Sequence, residues 1–150
     1  MLHILGWLYA VGTAIAAATI FGEDVQAFDA PVTVPANTET LVAVGQSLTL
    51  PGQNAKAVIR AWCYITVGEG TTAVRLAIYA GTVAGGRMVG KIQPSIGDLA
   101  SPETAFYELE CVDLISNVGA AQYCMSVDMV DSTGDGAVTS ALIDTTLLSG

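Results

Sequence analysis

From Thr40 to the C-terminus the chain repeats one pattern, and that pattern limits its fold more than any other feature. Apolar side chains recur at every second position over short runs, and each run ends in glycine, proline or small polar residues. A period of two is what a β-strand presents when one face is buried, because successive side chains point to opposite sides. In Ala57 to Val67 the odd positions Ile59, Ala61, Cys63, Ile65 and Val67 are apolar, while Arg60 and Thr66 mark the other face. Val74, Leu76, Ile78 and Ala80 alternate in the same way with Arg75, Ala77 and Tyr79. Tyr107, Leu109 and Cys111 oppose Glu108 and Glu110, and Tyr123, Met125, Val127 and Met129 oppose Cys124, Ser126 and Asp128.

Further strands are predicted over Thr40 to Leu50, with a bulge at Gly45, over Arg87 to Ile92, and over Val138 to Leu148. Gly68-Glu69-Gly70 reads as a hairpin loop, and Asp131 to Gly136 as another turn. Seven to eight strands separated by Gly- and Pro-rich turns predict a mainly β protein, a jelly-roll-like β-sandwich. An immunoglobulin-like sandwich fits less well, because Trp62 precedes Cys63 instead of standing between two cysteines.

The opening run, Leu2 to Phe21, has a different character and predicts one N-terminal apolar α-helix over residues 1–22. A linker or arm over 23–37 and the sandwich over 38–150 follow. The run leaves three readings open. As a secretory signal it offers cleavage after Ala27, but it has no Lys or Arg before its apolar core, and Glu23 and Asp24 precede the site. As a membrane span, residues 2–21 match the ~30 Å hydrocarbon core of a bilayer. As an assembly helix it carries small residues every four positions, Gly6, Ala10, Ala14, Ala18 and Gly22. Positions four apart share a helix face, so these would form a groove for close approach of another helix. The assembly reading is the preferred one, with lipid as the other burial partner. Pro31 to Pro35, or the N-terminus itself, would suit an arm that completes a neighbour's sheet.

The formal net charge is −9, and it is unevenly spread. All five basic residues lie between Lys56 and Lys91, whereas the nine charged residues from Ile92 onward are all acids. One copy's middle would therefore complement another copy's last third. With no basic cluster to displace counterions, direct nucleic-acid binding is not expected.

Catalytic chemistry finds little to work with. His3 is the only histidine, and Cys63, Cys111 and Cys124 form no CxxC pair, so neither a zinc site nor a base-activated nucleophile is expected. Glu108 and Glu110 stand two apart on one strand, roughly 6–7 Å by the rise per residue, but solvated acids explain them better than a glycosidase pair. Asp131, Thr133 and Asp135 open like a weak calcium loop, yet the twelfth position is Leu142 and not Glu. No enzyme activity, cofactor or small-molecule substrate is expected. Trp62, Tyr64 and Tyr79 share the solvent-side parity and would form an aromatic contact surface.

Thr72 to Gly90 contains a Val74-Arg75-Leu76-Ala77-Ile78-Tyr79 strand that runs into a Gly81-Thr82 turn and a Gly85-Gly86 hairpin. Set between Val58 to Gly68 and Ser140 to Leu148, this arrangement resembles small jelly-roll virion proteins of bacteriophages, of the decoration, cement or minor capsid type. The resemblance covers most of residues 38–148 and brings no catalytic residue with it; the apolar N-terminus departs from it. It implies a capsid subunit located in the virion, whose partners are copies of itself and other capsid proteins. A secreted or membrane-tethered binding module for carbohydrate or protein, and a filament subunit, are the alternatives.

Overall fold

The computed structural model describes residues 20–28, 31–50, 54–96, 103–116 and 119–149, with the backbone alone at 20–28 and 149. Its strands are β1 (Ile20–Phe28), β2 (Val32–Val34), β3 (Thr40–Val44), β4 (Leu48–Thr49), β5 (Ala55–Thr66) and β6 (Ala73–Ala80). β7 (Arg87–Ile92), β8 (Thr104–Ile115), β9 (Ala120–Ala121), β10 (Tyr123–Val130) and β11 (Gly136–Ser149) follow. Eight of them are long enough to build two antiparallel layers. The first sheet runs β1-β11-β5-β8, with β2 also paired to β11, and the second runs β3-β10-β6-β7. A small β4-β9 ladder lies apart from both.

The period-two pattern explains which face each strand buries. On β5, Ala57, Ile59, Ala61, Cys63 and Ile65 are fully buried and face Val74, Leu76 and Ile78 of β6 and Met125, Val127 and Met129 of β10 across the sandwich. Burying each large aliphatic side chain stabilises the fold by about 1.5–3 kcal/mol. On β11 the parity changes once. Val138 and Ala141 both face the core because the register with β5 shifts between Val138 and Ser140, which is a bulge.

The fold departs from three of the sequence expectations. Gly68-Glu69-Gly70 does not close a hairpin: β5 pairs with β11 and β8, whereas β6 pairs with β10 and β7, so the loop carries the chain from one sheet to the other. Asp131 to Gly136 crosses back in the same way, from β10 to β11. The N-terminal helix over 1–22 is also not what the described residues form, since Ile20, Phe21 and Gly22 belong to strand β1, antiparallel to β11. The rest of that expectation, residues 1–19, lies outside the described residues. No helix among the described residues is long and apolar enough to cross a membrane.

Candidate functional site

The outer face of the first sheet gathers the most unusual surface of the molecule. Even-numbered residues of β5 and β8 point away from the core, and the register sets Tyr64 beside Phe106, Arg60 beside Glu110, Val58 beside Val112 and Lys56 beside Leu114. Trp62, Tyr64 and Phe106 pack on one another, with ring centroids 5.1 Å apart for Tyr64–Phe106, 5.8 Å for Trp62–Tyr64 and 6.0 Å for Trp62–Phe106. Such pairs contribute about 0.5–1.5 kcal/mol beyond their burial. Even so, Tyr64 is 44% exposed, Phe106 48%, Val112 53% and Leu114 73%. Apolar side chains scattered singly over a surface are ordinary, but four gathered on two adjacent strands mark an interaction face. Between the aromatic and aliphatic ends lies a charged belt, where Arg60 Nε donates to Glu110 Oε2 at 2.7 Å.

Tyr79 does not belong to this surface. It sits on β6 in the second sheet and is 4% exposed, because the 67–72 segment crosses between sheets instead of turning within one. Phe106 takes the third place. Its parity with Glu108 and Glu110 was the signal, but its pairing with β5 is not visible in a single strand. On the second sheet, Tyr79 Oη and Ser126 Oγ both donate to Glu39 Oε1 at 2.7 Å. Burial would raise the Glu39 carboxyl, but these two bonds and the nearby Arg75 charge hold it below its ordinary value.

The loop at 131–136 uses its oxygens within the fold. Asp131 Oδ2 accepts from Thr72 Oγ1 at 3.0 Å, and Asp135 Oδ1 accepts from the Ala36 N–H at 3.0 Å, so the two carboxylates serve different loops. Thr133 Oγ1 donates to the Glu69 carbonyl, and Ser132 shares two hydrogen bonds with Asn37. Among the described residues no group of three or more His, Cys, Asp or Glu side chains comes together to hold a metal ion.

A second polar centre joins the sheets at their β7-β8 side. Arg87 donates from Nη1 and Nη2 to the two carboxylate oxygens of Asp113 at 2.8 and 2.6 Å, and Tyr123 Oη donates to Asp113 Oδ2 at 2.9 Å. These three line an open cavity of about 400 Å³ with Leu50, Ile115 and Gln122. All of Asp113's charge is answered within the chain, so the cavity presents no free ionic group from this centre. Burial pushes the Cys63 thiol up to about 12 and, with the Asp113 and Glu110 charges, the Cys111 thiol up to about 11. Neither supplies a thiolate near neutral pH. Glu108 and Glu110 lie on the open sheet face, with Glu110 bound by Arg60. Of the small residues assigned to a helix groove, Gly22 stands in β1, and Gly6, Ala10, Ala14 and Ala18 lie outside the described residues.

No family model matches the chain, and no curated protein does. Solved structures do resemble it. Eiger TNF from S. frugiperda aligns over 88% of this chain and 94% of its own, with a TM-score of 0.52 and 7% identity. The T=1 particles derived from infectious bursal virus align over 87% of this chain with a TM-score of 0.50 and 12% identity; the chain spans 36% of that protein. A Bacillus endospore appendage structure, described as a family of disulfide-linked pili, aligns over 86% of this chain and 89% of its own at 20% identity, with a TM-score of 0.39. At these identities the first two define a class by fold alone: the chain is an antiparallel β-sandwich of the kind found in those proteins.

Proposed function

We propose that the protein is a structural subunit without enzymatic activity, a jelly-roll protein that serves a virus particle in a minor capsid or decoration role. It binds neighbouring subunits through the outer face of its first sheet. The strand orders β1-β11-β5-β8, with β2 beside β11, and β3-β10-β6-β7 support the jelly-roll reading, because the chain passes repeatedly between a five-stranded and a four-stranded layer. The observation that carries the functional reading is the cluster of exposed apolar side chains on β5 and β8, from Tyr64 and Phe106 to Val112 and Leu114. Fixed aromatic anchors beside aliphatic ones are what a buried subunit contact is made of.

A carbohydrate platform is the weaker reading of the same face. Sugar rings stack on flat aromatic surfaces, and here the three rings meet at interplanar angles of 77°, 41° and 51°. Light scattering after size exclusion, with electron microscopy of the same fractions, tests the proposal. The wild-type chain is expected to assemble, and Phe106→Glu combined with Leu114→Glu to give a folded monomer with unchanged circular dichroism. A wild-type chain that stays monomeric without detergent overturns the reading. Glycan binding by that monomer, lost in Trp62→Ala, would put a binding module in its place.

A further inference from the structure

We infer that β1 is an exchangeable strand, and that in the assembled protein the edge of β11 is completed by residues 20–28 of a second copy. The inference rests on the subunit reading above and names the contact through which copies interlock.

The topology carries it. β11 is the longest strand among the described residues, and one of its sides is occupied by β5 from Ala137 to Ser149. Its other side is filled in two separate pieces. β1 pairs from Ile20 opposite Leu148 to Phe28 opposite Ala141, and β2 pairs from Val32 opposite Val138 to Val34 opposite Gly136. Both pieces run in the same direction along the same edge. Pro31 stands just before the second piece and has no N–H to give to a ladder. The first piece is therefore separable: β2 keeps its own ladder to β11 when β1 leaves.

Three consequences point to a second copy as the donor. Without β1, the alternate residues of β11 between Ala141 and Leu148 whose backbone groups point away from β5 lose their partners, an edge that seeks a strand of matching sequence. The segment with that register is β1 of an identical chain, since the antiparallel pairing is set residue by residue. An exchanged strand makes the same hydrogen bonds between copies as within one, so it interlocks copies that the outer face of the first sheet has brought together. Beyond its ladder with β11, the backbone of β1 comes near β3 and β4, so an exchanged β1 would meet the same elements of the second copy.

Cysteine pairs read the exchange directly. Glu23 lies opposite Thr146, and facing Cα atoms in an antiparallel pair are ~4.5–5.5 Å apart, within reach of a disulfide. Chains carrying Glu23→Cys and chains carrying Thr146→Cys are co-expressed, all with Cys111→Ser to remove the partly exposed native thiol. Oxidised particles are expected to yield a disulfide-linked dimer as the main band on a non-reducing gel. The double variant Glu23→Cys, Thr146→Cys is expected to give a ladder of linked chains. Single closed chains from the double variant, with no dimer from the mixture, overturn the exchange. So does an equal dimer yield when Thr146→Cys is replaced by the out-of-register Ser140→Cys, which would mean random collision. If light scattering finds only monomer, the subunit reading falls as well; assembly with closed chains removes the exchange alone.

Discussion

Asp113 shows how single residues hold the two layers together. Its carboxylate is 5% exposed and takes hydrogen bonds from Arg87 on β7 and Tyr123 on β10, so one side chain of the first sheet is tied to two strands of the second. Burial would raise its pKa, but the Arg87 and Tyr123 hydrogen bonds and the Arg87 charge outweigh it and hold the carboxyl below the usual range. A carboxyl depressed in the folded state adds stability above its unfolded pKa of about 3.9, and that stability is lost as pH falls through the folded value. Arg87→Met is expected to cost about 1–2 kcal/mol at pH 7, toward the low end for a charged hydrogen bond because the guanidinium is largely solvated. The gap between wild type and variant should then narrow as pH falls below the ordinary carboxylate value of about 3.9 and close as it passes through the lower folded value of Asp113. Urea unfolding midpoints from pH 7 to pH 3 measure it, and a gap independent of pH contradicts the linkage. Tyr123→Phe, which removes one donor, should cost about 0.5–1.5 kcal/mol.

At the scale of elements, the two inter-sheet loops lock together where the strands cross. The Glu69 carbonyl accepts from the Thr133 and Gly134 N–H groups at 2.8 and 3.1 Å, and Thr71 Oγ1 donates to Ser132 Oγ at 2.9 Å. Gly68 packs so closely on the Gly134 carbonyl that a methyl group there would collide with backbone. Gly68→Ala is therefore expected to cost about 1–3 kcal/mol by thermal unfolding, as overpacking does. Asp135→Ala should cost about 0.5–1.5 kcal/mol by freeing the Ala36 N–H, and millimolar calcium should not shift the melting temperature of either chain. A calcium-dependent rise that Asp135→Ala abolishes would restore the metal reading of this loop. The strands flanking these loops were legible because half-buried β-structure writes its period into the sequence, as Ile59 to Val67 and Tyr123 to Met129 do. Their partners were not, since Gly68-Glu69-Gly70 looks the same in a hairpin as in a crossover. Strand β1 was hidden for another reason: Ile20 and Phe21 continue an apolar run of helical length, and Glu23, Asp24 and Gln26 read as a polar connection.

At the scale of the whole molecule, the segregated charges find their partners inside one chain. Arg60 meets Glu110 through the β5-β8 register, Arg75 meets Asp128 through β6-β10, and Arg87 meets Asp113 between β7 and β8. The basic middle and the acidic last third are complementary, as the sequence indicates, but the fold itself brings them together, and contact order along a chain does not reveal that. Three of the five basic residues are thus engaged before any neighbour arrives, and the exposed pair Arg60–Glu110 contributes little to stability. Assembly through Tyr64, Phe106, Val112 and Leu114 is then an apolar event, and salt distinguishes it from electrostatic docking. Raising sodium chloride from ~0.1 M to ~1 M shortens the screening length from about 10 Å to about 3 Å and weakens contacts between charged surfaces. Burial of apolar area does not depend on that length, and excluded salts such as sulfate strengthen it. Light scattering across that range is expected to show assemblies of unchanged or greater mass. Dissociation by salt, with the Phe106→Glu, Leu114→Glu variant behaving like wild type, would return the contact to the charged residues and remove the apolar face from the interface.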